Sequence, residues 1–325
     1  MSVERAELFR QTSRDELKLE MQRIKAFVKR LEEDERKPPK LFEHFSRTLI
    51  FSSQILQPKS FPERGSRASI EEVDTLRKRL FLALKDTMGL AEDSERVERA
   101  LREVISDDGT ICFSRMFKAT RSTRELNLEV AAGNGDWAVA QAKADERSDW
   151  ISLELRHDRV YNIFSRAVFA GTQNFAAMGG DAAYVMRRYI ARESVSNVFV
   201  NFPEPPHHSG DDAADNSLAL LSEDFFRDVH ASLAERGGLV IFSDNHRYMQ
   251  SLARALARTG LFSSREADLA SGASADRYET ILGLRLHEGL PGALAGHRVY
   301  EQSYFDRFWE NGRHVDRYFL SLEKV

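Results

Sequence analysis

A short loop at residues 201–206, with the sequence Asn-Phe-Pro-Glu-Pro-Pro, holds the residues best suited to chemistry. The apolar residues 195–200 before it predict a buried strand, and the prolines end that strand because proline cannot donate a ladder hydrogen bond. In open α/β sheets, ligands bind at the carboxyl ends of strands. Asn201 and Glu204 are therefore candidate ligand-binding residues. A plain turn rich in proline is the alternative.

A second candidate lies at the glycine turn that follows residues 125–130, a predicted strand. Gly133 and Gly135 let the backbone turn tightly before a predicted helix at 137–144, as in the first unit of a nucleotide-binding fold. Glu154 lies in the next predicted strand, 150–155, 21 residues after Gly133, near the spacing of an acidic residue that binds ribose hydroxyls. A surface glutamate at a strand end is the alternative.

Three further positions have weaker signals. Asp181 follows a glycine pair after the third predicted strand, where a carboxylate can accept a hydrogen bond from an adenine amino group, although such turns are common. Asp244 ends the fifth predicted strand, 239–243. His207 and His208 could suggest a metal, but adjacent histidines without a third ligand nearby are usually a polar loop, so we expect no metal.

Composition limits the class of protein. The 325 residues are 42% hydrophobic, enough for a sizeable core in one or two domains. Residues 1–120 hold 24 Lys+Arg and 22 Asp+Glu, whereas residues 121–325 hold 23 and 29, a net charge of −6 that argues against a general nucleic-acid binder. The single cysteine, Cys112, excludes an intramolecular disulfide. Without an apolar signal core or an 18-residue apolar run, we expect a soluble, cytoplasmic protein with no membrane partner.

Residues 1–120 read as a helical accessory domain. Leu17, Met21, Ile24, Val28 and Leu31 form an apolar stripe on a predicted helix over 14–36. The stripe could pair with a second copy or a partner subunit, or it could dock on the protein's own core, which is commoner for so short a stripe.

Two more helices are predicted in this region, after a loop at 52–68. Ser69 is placed to cap the first, with Glu72 completing a capping box. Its apolar face is expected to contain Ile70, Val73, Leu80 and Leu84. The other helix is predicted over 94–106.

From residue 124 strands and helices alternate, which predicts an α/β domain over 121–325. Further helices are expected at 157–170, 222–235 and 246–257. A short segment at 173–176 supplies the third strand. Two last strands, near 280–286 and 315–322, fit a closing hairpin.

The order of these pieces resembles the tRNA (guanine-N7)-methyltransferase family, the TrmB-like group of class I S-adenosylmethionine-dependent methyltransferases. The resemblance covers about residues 124–325 and rests on six ordered motifs. They are residues 129–135, 152–156, 180–182, 201–205, 243–245 and 303–306. The fold implied is a Rossmann-like α/β sheet of seven mostly parallel strands with a final antiparallel hairpin. Two positions depart from the family pattern: Ala131 replaces the first glycine, and Glu204 replaces the catalytic aspartate.

The resemblance also implies a role for each matching residue. S-adenosylmethionine would be held by Glu129, Gly133, Gly135, Glu154, Asp181 and Ala182. Asn201 and Glu204 would be catalytic, orienting the acceptor ring without a metal. The acceptor would be bound by His208, Asp244, Ser303, Phe305 and Asp306.

The loop after this motif leaves the acceptor open. The family continues with a basic run that contacts RNA phosphates, whereas residues 206–216 contain three aspartates and no lysine or arginine. Each lost cation weakens RNA binding. The leading hypothesis is methylation of guanine N7 in tRNA, with the basic surface supplied elsewhere. The alternatives are a small-molecule N-methyltransferase acting on a purine-like heterocycle, and a non-catalytic binding protein or subunit.

Overall fold

A computed structural model describes most of the chain outside the N-terminal region and four later stretches, 79–93, 118–123, 207–219 and 300–315. The described residues are 22, 26, 63–64, 66–78, 94–117, 124–206, 220–299 and 316–325. The predicted helix at 14–36 lies outside them, apart from the helical residues Gln22 and Ala26.

The described residues include eight helices and nine strands, numbered here in chain order. The helices are α1 (70–78), α2 (Ser94–Val104), α3 (Phe113–Met116), α4 (Asp136–Ala144), α5 (His157–Ala170), α6 (Ala182–Arg188), α7 (Glu223–Ser232) and α8 (His246–Thr259). The strands are β1 (Leu126–Val130), β2 (Asp149–Glu154), β3 (Phe175–Gly179), β4 (Val195–Asn201), β5 (Leu233–Ser243), β6 (Phe262–Ser264), β7 (Tyr278–Ile281), β8 (Leu284–Glu288) and β9 (Tyr318–Lys324).

The strands form one mixed sheet in the order β3-β2-β1-β4-β5-β9-β8-β7, and β6 pairs with β9. Strands β1 to β5 are parallel, and the pairs that involve β6 to β9 are antiparallel. The strand order reverses between β1 and β4, which creates the crevice where ligands bind in doubly wound sheets. The predicted Rossmann-like sheet is confirmed, with nine strands rather than seven.

Two predicted boundaries were wrong. The helix predicted over 222–235 ends at Ser232, and β5 already begins at Leu233. The strand predicted near 280–286 is instead the hairpin of β7 and β8. Leu282 and Gly283 form its two-residue turn, both with positive φ, as a type I′ turn requires.

The capping box at α1 is confirmed. The Ser69 backbone N–H donates to Glu72 Oε2 at 2.7 Å, and the Glu72 N–H donates to Ser69 Oγ at 3.2 Å. Val73 is buried as predicted, but Ile70 is 77% exposed, because Val73 and Leu76 form the inner face of this helix. Leu80 and Leu84 lie outside the described residues.

The described N-terminal segments pack directly on the α/β region. Buried residues of α1 and α2, including Val73 and Leu101, share one apolar cluster with the sheet. The Ile111 N–H donates to the Tyr189 carbonyl at 2.8 Å, and Arg64 Nε lies 2.6 Å from Asp228 Oδ1. The division into 1–120 and 121–325 stays a prediction.

Candidate active site

The turn after β1 follows a left-handed path through three residues. The φ angles of Ala131, Gly133 and Gly135 are 56°, 58° and 71°. A Cβ atom on Gly135 would lie 2.8 Å from Ile163, so the packing of α5 alone explains that glycine. A Cβ atom on Gly133 would meet nothing within 4 Å. Of the two glycines in this turn, Gly133 is therefore the one that borders open space.

Glu154 joins this turn to the end of β2. Its Oε2 accepts from the Gly133 N–H at 2.9 Å, and its Oε1 accepts from the Arg156 N–H at 3.0 Å. The Glu154 carbonyl also accepts from the Gly180 N–H at 3.0 Å. Glu154 thus fixes the carboxyl ends of β1, β2 and β3 against one another.

Glu129 and Asn201 connect β1 to β4. Asn201 Nδ2 donates to Glu129 Oε1 at 2.9 Å. Burial is the main cause that raises the pKa of Glu129 to about 8; the nearby carboxylates of Asp136 and Glu154 add to the rise, and the hydrogen bond from Asn201 opposes it. Glu129 Oε2 and Asn201 Oδ1 are buried and have no hydrogen-bond partner in the part of the chain described.

Asp181 and Ala182 begin α6. Asp181 is the N-cap residue, and its Oδ1 accepts from the Tyr184 N–H at 2.9 Å. This capping bond explains Asp181 structurally and leaves its second carboxylate oxygen available.

The ends of β4 and β5 meet directly. The Phe202 N–H donates to the Phe242 carbonyl at 2.7 Å, and the two rings pack edge to face with centroids 4.8 Å apart. Phe202 is buried, with φ of 50°, whereas Glu204, two residues on, is exposed. Asp244, partly exposed, follows β5 at the same edge. The structure therefore brings Asn201, Glu204 and Asp244 to one edge of the sheet.

A cavity of about 160 Å³ opens beside these strand ends. Its walls include Trp137, Asn201, Phe202 and Phe242, and the opposite wall comes from residues 268–272 and 290–299.

His297 is the most unusual residue in that opposite wall. Its ring lies 4.7 Å from the Trp137 ring, and burial lowers its pKa to about 3, so it is neutral at physiological pH. Trp137 Nε1 and His297 Nε2 are buried without a hydrogen-bond partner among the described residues. Gln141 holds the neighbouring backbone, donating to the Val299 carbonyl at 2.7 Å.

Sequence reasoning missed this opposite wall altogether. Residues 265–299 carry no motif, and His297 is a lone histidine after a glycine, which gives no signal. The sequence predicts Trp137 only as the first residue of a helix. Phe242 lies in the predicted fifth strand, but the sequence does not predict its contact with the Phe202 ring, which forms part of the cavity wall.

Four predicted acceptor-binding residues, His208, Ser303, Phe305 and Asp306, lie outside the described residues, as does His207. Within the described ranges no group of three His, Cys, Asp or Glu side chains is arranged to hold a metal ion. In the same ranges, no helix is long and apolar enough to cross a membrane.

The sheet order and the motifs at its strand ends define a class I, Rossmann-like methyltransferase fold. Residues 123–280 match a family model described as a putative methyltransferase. The tRNA (guanine-N(7)-)-methyltransferase of Chlamydia caviae is 33% identical over 124 residues, which are 38% of this chain and 54% of the relative. That of Thermus thermophilus is 28% identical over 142 residues, 42% and 43% of the two chains. These matches confirm the resemblance that the motifs indicate.

The chain spans about half the length of the curated relatives it matches. Among solved structures, the 16S rRNA methyltransferase KamB aligns with 65% of this chain and 93% of its own, at 16% identity and a TM-score of 0.42. TrmN from Thermus thermophilus aligns with 65% of this chain and 48% of its own, at 18% identity and a TM-score of 0.38.

Proposed function

We propose that this protein is an S-adenosylmethionine-dependent methyltransferase that methylates N7 of guanine in tRNA. The observation that carries the proposal is the hydrogen bond from Asn201 to Glu129. The bond joins Asn201, the first residue of the 201–205 motif, to β1, the strand that leads into the glycine turn. The names of the similar proteins support the same reaction and the same acceptor.

The residues at this edge fit S-adenosylmethionine. Gly133 borders open space, and the Glu154 carboxylate, buried at the end of β2, can accept hydrogen bonds from a ribose diol. Leu155, next to it, is 48% exposed and offers an apolar surface to an adenine ring. The unpartnered Glu129 Oε2 suits the ammonium group of the cofactor, since a buried acceptor without a partner is costly.

When bound, the cofactor supplies an electrophilic methyl group on a sulfonium sulfur. Guanine N7 already has a lone pair, so the chain needs no base to generate the nucleophile. Its residues position the acceptor in line with the methyl group and exclude water. Asn201 is held by Glu129, and Glu204, two residues beyond the buried Phe202, accepts N–H groups of the guanine ring and balances the positive charge that methylation creates.

The cavity beside Asn201 would hold the guanine ring. Phe202 and Phe242 supply aromatic walls, and Asp244 lies at the same strand edge. By family resemblance His208, Ser303, Phe305 and Asp306 complete the acceptor site. No metal is part of this proposal. A tRNA-modifying enzyme would work in the cytoplasm, and the N-terminal helices, as a unit over 1–120, would mediate pairing with a second copy or a partner subunit.

The test is transfer of labelled methyl from S-adenosylmethionine to tRNA from a strain that lacks guanine-N7 tRNA methylation. A small-molecule extract of the same strain is the competing acceptor. The proposal expects label in tRNA that depends on the purified protein. Label only in the extract would overturn the tRNA assignment while keeping the methyltransferase, and label in neither would overturn both.

A further inference from the structure

The outer face of α8 carries a stripe of basic residues. Arg247, Ser251, Arg254 and Arg258 are exposed at spacings of four, three and four, so they lie along one side of the helix. The helix contains three arginines and no aspartate or glutamate. Its opposite side, which includes Met249, Leu252 and Leu256, is buried.

Two of the three arginines have no acidic partner among the described residues. Arg258 Nε lies 2.7 Å from Glu223 Oε1. Arg247 and Arg254 make no ion pair within the ranges that the structure describes. The neighbouring acid Glu279 is already bonded to His246 at 2.6 Å and to Gln250 at 3.0 Å. The stripe therefore presents positive charge to solvent.

The position of α8 connects the stripe to the candidate active site. The helix begins at His246, directly after Asp244 and Asn245 at the carboxyl end of β5. Asn245 caps it through a 3.0 Å bond to the Tyr248 N–H. Arg247 and Arg254 are two turns apart, about 10 Å along the axis. A strand of RNA entering the acceptor cavity can therefore run along this face.

Charge complementarity identifies the partner. Residues 121–325 have a net charge of −6, and residues 206–216, where the resembling family has its basic run, hold no cation. A helix face that carries exposed cations and no acid of its own suits a polyanion. We infer that the outer face of α8, through Arg247 and Arg254, binds the phosphate backbone of the tRNA substrate. This inference rests on the proposed function and names the surface that replaces the missing basic run.

The test compares two double charge reversals in the full chain. R247E/R254E changes the stripe. R147E/R192E reverses two exposed arginines that precede β2 and β4, at the opposite edge of the sheet from the acceptor motif, and gives the same net charge. Affinity for unmodified tRNA is measured from 50 to 300 mM salt, and cofactor affinity is measured as a check on the fold.

The inference expects R247E/R254E to bind tRNA at least tenfold more weakly than R147E/R192E at low salt. The slope of log affinity against log salt should also fall by about one for each arginine lost. Cofactor affinity should be unchanged in both. If the wild type binds tRNA and the two variants behave alike, this inference is overturned and the tRNA reaction stands. If the wild type binds no tRNA at low salt, the proposed acceptor itself fails.

Discussion

The Asn201 carboxamide donates to the buried Glu129 carboxyl across adjacent strands, with Nδ2 and Oε1 2.9 Å apart. This bond holds the Asn201 side chain, at the start of the 201–205 motif, through a carboxyl group on β1, the strand that leads into the glycine turn. The raised pKa of Glu129 keeps this carboxyl group largely protonated at neutral pH. The charge state of Glu129 therefore responds to whatever cation arrives beside it.

Glu129 should make the stability of the cofactor-free protein depend on pH. Its pKa is about 8 in the folded state, against 4.5 for the free side chain. Between these values the folded state keeps a proton that the unfolded state has lost, so stability falls as pH rises through this window. Glu129→Gln should remove that slope. Urea unfolding at pH 5 and pH 8 should show the wild type losing on the order of 3 kcal/mol relative to the variant; parallel profiles would contradict the buried protonated state.

Gly133 should be the glycine whose substitution blocks the cofactor. Gly133→Leu places a side chain in open space at the turn, whereas a side chain on Gly135 would strike Ile163 and damage the fold. Gly171→Leu is the matched control, because Gly171 has φ of 69°, equally open surroundings and a position at the end of α5. Both variants should lose about 1–2 kcal/mol of stability. Calorimetry should show that only Gly133→Leu loses cofactor binding; equal cofactor affinity in the two would remove Gly133 from the site.

Ala131 is strained and should be improved by glycine. Its φ of 56° is unfavourable for a residue with a Cβ atom, and its side chain is exposed, so little burial is lost. Ala131→Gly should stabilise the protein by about 0.5–1 kcal/mol after the entropy cost of glycine is subtracted. Ala132→Gly, at a position without positive φ, should destabilise it by a similar amount. Chemical denaturation checks both, and a loss of stability in Ala131→Gly would refute the strain.

The parts of the fold that sequence predicted are those fixed by local chemistry. The glycine turn, the Ser69 cap and the prolines after Asn201 each act within a few residues. Ala131 stands where the resembling family has glycine, and its left-handed backbone conformation explains why glycine is the usual residue there. The boundary at Leu233 was missed because Ala234, Glu235 and Arg236 suit a helix. Leu233 instead pairs with Val195 of β4, and pairing resumes only at Gly238 after an irregularity in the ladder.

The second wall of the cavity could not be predicted for a different reason. The wall segments 268–272 and 290–299 contain no regular helix or strand, and they reach the site through long-range contacts. Gln141, for example, holds the Val299 backbone 158 positions away. The meeting of Phe202 with Phe242 likewise depends on sheet order, which joins β4 to β5.

Glu204 should matter for turnover and not for cofactor binding. It is exposed at the acceptor edge and makes no contact within the cofactor turn. Glu204→Ala should lower kcat by about a hundredfold with unchanged cofactor affinity. Glu204→Asp, which restores the residue of the resembling family, should retain activity. Glu146→Ala, an exposed glutamate before β2, is the control. Full activity in Glu204→Ala would exclude this residue from the mechanism.

The most direct measurement is the identity of the methylated nucleoside. Undermodified tRNA is incubated with the protein and S-adenosylmethionine, digested, and analysed by mass spectrometry. We predict that 7-methylguanosine accumulates with the wild type, is strongly reduced with Glu204→Ala and is absent with Gly133→Leu. A different methylated nucleoside, or tRNA left unmodified while a free heterocycle is methylated, would contradict the proposed reaction.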